Sequence, residues 1–218
     1  MGGDFDWRYL ALMISAIVPS IILHEVSHGV VALWFGDDTA KKAGRLTLNP
    51  VKHIDPFGTI ILPAILALSG LGTFGFAKPV PVNVRRLRNP RQHSLYVSLA
   101  GPVTNICIAL VAIVAFRVLR PSIVLLDQHG LPLASGPVRY AFAVSFLNTI
   151  LAAFNLLPIP PLDGSAFIER VLPHRWWPTW LRFRQYGFGV LLLLIFVIPG
   201  ALDRVFNPAI DLWARLLV

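Results

Sequence analysis

Apolar positions along this chain do not alternate with polar ones; they gather into five long runs. The first extends from about Tyr9 to Phe35 and is interrupted by His24, Glu25, Ser27 and His28. The second lies between Asp55 and Lys78, the third runs from Gln92 to Phe116, the fourth from Tyr140 to Leu162 and the fifth from Gln185 to Leu202. A helix that crosses a bilayer takes about 20 mostly apolar residues. The first, third and fourth runs satisfy that comfortably, the fifth adequately, and the third and fourth contain no Asp, Glu, Lys or Arg. The second run differs. Its core, Phe57 to Phe74, holds Pro63 and ends among Gly70, Gly72 and Gly75. Proline removes a helical hydrogen bond and glycine loosens the helix, so this run predicts a segment that enters and returns. The tail from Asp203 to Val218 is too short and too charged to cross; Ile210, Trp213, Leu216 and Leu217 at helical spacing predict an interfacial helix. The pattern as a whole predicts an all-α polytopic membrane protein, a single domain over 1–218.

Composition agrees with that reading. Of the 218 residues, 56% are apolar and 14% charged, against about 25% charged in soluble domains. Charge then orders the loops. If the second run returns, loops 36–93 and 163–184 share one side and hold 13 Lys/Arg, against 6 elsewhere. If it crosses, the split becomes 9 against 10 and the bias disappears. Cytoplasmic loops carry the excess of Lys and Arg, which favours the returning segment, puts both loops in the cytoplasm and places the chain in the cell membrane as a multi-pass protein. The net charge of +8 has no Lys/Arg-rich helix or RNA-binding aromatic motif beside it, so nucleic acid is not the expected partner. The single cysteine, Cys107, excludes an intrachain disulfide and is expected to be a small buried residue in mid-span.

Chemistry enters at His24-Glu25-Val26-Ser27-His28. Positions i and i+4 share a helix face, so the two imidazoles can grip one Zn²⁺ while Glu25 reaches the water on the same cation. His24 precedes Phe35 by 11 residues, roughly 16 Å along a helix, and ionisable groups at membrane depth are costly enough to imply function. A catalytic zinc needs a third protein ligand. Asp163 is the acidic candidate: it follows a turn forced by Pro158, Pro160 and Pro161, and Gly164 after it permits a close approach. The alternative is that Asp163 caps a short helix starting near Ser165. His53, beside Asp55 and Pro56, is either a group near the site or an ordinary interfacial polar residue.

The pairing of His24-Glu25-Val26-Ser27-His28 with Leu162-Asp163-Gly164 at a later span resembles the site-2 protease family of intramembrane zinc metalloproteases. Gly101-Pro102-Val103-Thr104-Asn105 is similar to the family's Gly-x-x-x-Asn pattern, and Asn155-Leu156-Leu157-Pro158 before Pro161-Leu162-Asp163-Gly164 to its third-ligand signature. Asn49 to Gly58 and Phe76 to Asn83 resemble small prokaryotic members that have no PDZ or CBS domain. The resemblance implies one Zn²⁺ per chain held by His24, His28 and Asp163, with Glu25 as general base. It also implies a three-helix catalytic core from the first, third and fourth runs, spanning about 9–172; the fifth run and the tail add a further membrane helix and interfacial tail over about 185–218. The implied substrates are transmembrane segments of membrane proteins, cleaved in regulated intramembrane proteolysis. A tetrahedral intermediate needs donors for its oxygen; Asn105 and Asn155 are expected either to supply them or to make helix–helix hydrogen bonds. The competing expectation is a non-catalytic zinc-binding or zinc-transporting membrane protein.

Overall fold

The computed structural model describes residues 6–68, 75–120, 124–198, 200 and 202–217. Its elements are helical: α1 (Trp7–Trp34), α2 (Thr39–Lys42), α3 (Leu62–Leu68), α4 (Pro90–Leu119), α5 (Gly136–Asn155), α6 (Ser165–Val171), α7 (Trp177–Phe196) and α8 (Asp203–Leu217). Among the described residues the extended pairing is limited to an isolated bridge between Leu126 and Pro132. Among the described residues, α1, α4 and α5 are the three helices long and apolar enough to cross a membrane.

These three pack on one another, and the reason is visible in their buried stripes. α1 buries Ala16, Ser20, His24, His28 and Ala32, spaced by four. α4 buries Val97, Gly101, Asn105, Ala109 and Ile113 at the same spacing. α5 buries Ala141, Ser145, Asn148 and Ala152. Inside a membrane, helices associate through close packing of small residues and interhelical hydrogen bonds, not through the hydrophobic effect. The large apolar side chains are turned outward: Val103, Ile106, Leu110, Val111, Val114 and Val118 on α4 are all exposed, the distribution of a helix that faces lipid. Cys107 belongs to this outward face and is exposed, not buried as its position in the span suggested. Pro19 cannot donate a helical N–H to the Ser15 carbonyl; the Tyr140 hydroxyl donates to that carbonyl instead, at 3.1 Å.

The second apolar run returns on itself. A π-helical turn over Pro56–Ile61 leads into α3, and the chain comes back so that the Phe76 N–H donates to the Gly58 carbonyl at 3.0 Å. The Thr59 hydroxyl donates to the Phe76 carbonyl at 3.0 Å. A segment whose two ends are hydrogen-bonded to each other does not cross. Its glycine-rich end, including Gly70 and Gly72, lies outside the described residues. From Gly75 to Asn83 the chain is neither helix nor strand, and its Val80 N–H donates to Glu25 of α1.

The C-terminal third departs from the sequence expectation. α7 begins at Trp177, well before the apolar run, and includes Arg182 and Arg184. The apolar part, from Gln185 to Phe196, covers about 18 Å, short of the roughly 30 Å of a hydrocarbon core. α7 packs on loops: Gly187 lies against Pro160, where an added Cβ would come within 2.5 Å of the Pro160 carbonyl oxygen. α8 does not lie apart on an interface. Phe206 meets Phe154, Trp213 sits between Phe142 and Phe146, and Leu217 packs with Val138 and Ala141. Helix α8 therefore runs antiparallel along α5.

Candidate metal centre

α1 brings His24 and His28 together one turn apart, with ring centroids 4.7 Å from each other and the rings edge to face. Their inner nitrogens are engaged from α4. His28 Nδ1 lies 2.7 Å from the Val97 carbonyl oxygen. A carbonyl only accepts, so Nδ1 carries the hydrogen and Nε2 presents a lone pair. His24 Nδ1 lies 2.5 Å from Asn105 Oδ1, with the same consequence. Asp163 arrives from the turn after α5. Pro158, Pro160 and Pro161 end the helix, and the Gly164 N–H folds back to donate to the Asn155 carbonyl at 2.7 Å. An added Cβ at Gly164 would stand 2.5 Å from the Leu157 carbonyl oxygen, so the turn closes only on glycine. The result puts Asp163 Oδ2 at 3.1 Å from His24 Nε2 and 3.4 Å from His28 Nε2. Asp163 is not used as a cap: α6 starts at Ser165 without a side-chain cap hydrogen bond.

Three acceptor atoms thus converge without a hydrogen among them. Asp163 Oδ2 is buried with no hydrogen-bond donor, and the candidate ligand atoms all lie within 4.8 Å of one another. Lone pairs crowded in a buried site repel unless a cation sits between them. The wall opposite is cut away to match. Gly101 faces the imidazoles so closely that an added Cβ would stand 2.5 Å from both Nε2 atoms. Two imidazoles and a carboxylate are a donor set suited to a divalent metal with one position left open.

The centre opens into a cavity of about 640 Å³ lined in part by Ser98, Leu151, Asn155, Arg184, Phe188 and Leu191. Glu25 lines it too, outside the ligand triad, and its Oε2 accepts the Val80 N–H at 2.8 Å. Arg45, itself buried, holds that stretch of chain by donating from Nη2 to the Lys78 carbonyl at 2.7 Å. Asn155 is on the cavity wall, and its Nδ2 spends one hydrogen on the Leu151 carbonyl at 2.9 Å. Asn105 is elsewhere. It is fully buried behind His24, with Oδ1 on the imidazole and Nδ2 donating to Asn148 Oδ1 at 2.7 Å. His53 is buried away from the centre, where Nε2 meets the Thr47 carbonyl at 2.9 Å.

Sequence reasoning passed over Ser20 and Asn148, both buried beside the centre. A signal was available in their spacing. Ser20 precedes His24 by one turn and shares its stripe, and Asn148 stands two turns before Asn155 in a span without charge.

Comparison with known proteins agrees with this geometry. The sequence model of Peptidase family M50 matches residues 12–198. YwhC of Bacillus subtilis is 40% identical over 191 residues, which is 86% of this chain and 80% of that protein. Rip2 of Mycolicibacterium smegmatis is 33% identical over 196 residues, 89% of this chain and 70% of that protein. MJ0611 of Methanocaldococcus jannaschii is 27% identical over 198 residues, 88% of this chain and 85% of that protein. All three bear names that mark them as candidate zinc metalloproteases. No solved structure matches.

Proposed function

The chain belongs to peptidase family M50, the site-2 protease family, and from that premise we propose that this membrane zinc metallopeptidase hydrolyses a peptide bond within transmembrane segments of other membrane proteins. The observation that carries the proposal is the convergence of His24, His28 and Asp163, with Glu25 beside them, among helices whose outer faces are apolar and exposed. His24 Nε2, His28 Nε2 and Asp163 Oδ2 would hold one Zn²⁺ per chain. When bound, zinc supplies a Lewis acid that lowers the pKa of a water and polarises the scissile carbonyl. Glu25 takes the proton of the attacking water on its carboxylate and returns it to the leaving amine. The Val80 N–H keeps that carboxylate aimed. Asn155 donates to the oxygen that gains charge, through the Nδ2 hydrogen not spent on Leu151. Asn105 does not reach the cavity and has no part in that step.

A substrate helix has its backbone groups paired internally and must unwind to be cut. The chain from Gly75 to Asn83, neither helix nor strand, borders the cavity, and an unwound substrate can add beside it as a strand. The protein is taken as one membrane domain, its catalytic core about 9–172, with the basic loops on the cytoplasmic side of the cell membrane.

Co-expression with candidate membrane substrates tests this. Glu25→Gln keeps the shape and removes the proton acceptor, so zinc content stays near native. Cleavage falls by about 10²–10⁴-fold, the range for loss of general acid–base catalysis. Equal cleavage by both forms refutes the mechanism.

A further inference from the structure

Behind the metal centre a chain of side chains links His24 to three residues that the catalytic steps do not use. It crosses all three spanning helices: His24 on α1, Asn105 on α4, Asn148 on α5, and back to Ser20 on α1. Asn105 and Asn148 are fully buried and Ser20 nearly so. Each link is short: 2.5 Å from His24 Nδ1 to Asn105 Oδ1, 2.7 Å from Asn105 Nδ2 to Asn148 Oδ1, and 2.8 Å from Asn148 Nδ2 to Ser20 Oγ.

The chain has a direction, and its far end fixes that direction. Ser20 Oγ donates to the Ala16 carbonyl at 2.7 Å, so its hydrogen is spent and it faces Asn148 as an acceptor. Asn148 Nδ2 also lies 2.8 Å from the Val144 carbonyl. Both partners of that nitrogen accept, so the amino group of Asn148 points at them and its carbonyl oxygen points at Asn105. Asn105 must then answer with its own amino group, which turns its carbonyl oxygen to His24. An oxygen there requires the hydrogen on His24 Nδ1 and leaves Nε2 bare, toward Asp163. Reversing any one amide would set two donors or two acceptors against each other in a site from which water is excluded.

We infer that Ser20 and Asn148 are positioning residues of the metal centre, which through Asn105 lock His24 in the tautomer and orientation that offer Nε2 to the ligand site. The inference rests on the reading of His24, His28 and Asp163 as zinc ligands and assigns a task to two residues outside any motif. His28 needs no such chain, because the Val97 carbonyl sets its tautomer directly.

The test is a double-mutant cycle on purified protein in detergent micelles, with two readouts: the zinc dissociation constant by chelator competition, and thermal unfolding of the zinc-free protein. Loss of the partner of a ligating histidine costs about 10–100-fold in metal affinity. Asn105→Ala is expected to fall in that range and Asn148→Ala at its lower end, about tenfold. The double variant should bind zinc no more weakly than Asn105→Ala alone, because the chain is already cut. Ser20→Ala removes one hydroxyl from the far end and weakens zinc in the same direction, which keeps the test open if Asn148→Ala fails to fold. Two residues that merely join helices give another pattern: lower unfolding temperature without zinc, native zinc affinity, and additive effects in the double variant. That pattern overturns the inference. Failure of the underlying reading looks different again, since His24→Ala would then bind zinc as well as the native protein does.

Discussion

At the scale of single residues, the centre depends on what Gly101 lacks as much as on what the ligands supply. Gly101→Ala sets a methyl group 2.5 Å from both imidazole Nε2 atoms, on a helix whose neighbours are closely packed. Overpacking of this kind costs about 1–3 kcal/mol, and relief comes only by pushing the rings off the metal position. The variant should show weaker zinc binding together with a lower unfolding temperature; native zinc affinity would mean the rings have room that the geometry denies them. Native protein should carry one Zn²⁺ per chain, and Asp163→Ala should lose most of it, measured by metal analysis after dialysis. Full retention would dismiss Asp163 as a ligand. The convergence of His24, His28 and Asp163 was foreshadowed in the sequence because helical spacing puts the two histidines on one face, and because three prolines announce the turn that carries Asp163. The direction in which Asn105 faces was not legible. It depends on how α4 is rotated against α1, which no local pattern records. Cys107 illustrates the same limit: two residues beyond Asn105 is about 200° around a helix, so burial of one exposes the other.

At the scale of elements, the apolar runs identified α1, α4 and α5 and left the bounds and packing of the last two helices open. The returning segment was legible because Pro63 and the glycines leave it no means of crossing. Helix α7 starts earlier than its apolar run, at Trp177, and carries Arg182 and Arg184, so the run alone did not give its bounds. The tail was read as interfacial because its strong amphipathicity suits a membrane surface and a protein groove equally well. The groove on α5 takes it: the Trp213 Nε1–H donates to the buried Ser145 hydroxyl at 3.0 Å, and its ring meets Phe142 and Phe146 at 5.1 Å. Trp213 is half-buried, so Trp213→Ala should lower stability by less than the roughly 3 kcal/mol that a fully buried aromatic gives, followed by unfolding in micelles. A helix that merely rests on lipid headgroups would show no such loss.

For the whole molecule, the question is which loops share a side, and charge and contacts answer it independently. At the C-terminal end of α1 and the N-terminal end of α4, the Gly36 turn is joined to the Arg88 region by the Arg88 N–H donating to the Phe35 carbonyl at 3.0 Å. Asp38 pairs there with Lys42 and Arg86. The Arg91 guanidinium reaches the Arg170 carbonyl at 2.9 Å, which brings α6 to the same end. At the opposite end His129 stacks on Tyr9 and lies 3.4 Å from Asp6. The contacts thus gather loops 36–93 and 163–184 at one end of the three-helix bundle, the same loops that hold 13 of the 19 Lys/Arg. On the positive-inside tendency, we propose that this end faces the cytoplasm. Reporter fusions near Lys42, Arg88 and Arg175 should all report the cytoplasm, and a fusion near Gln128 the other face. The comparison of Lys42 with Arg88 decides most, because the apolar run from Phe57 to Phe74 lies between them. Opposite readings at those two positions would mean that this run crosses, that the hydrogen bonds joining Phe76 to Gly58 and Thr59 do not hold in the bilayer, and that the charge bias has no bearing on orientation.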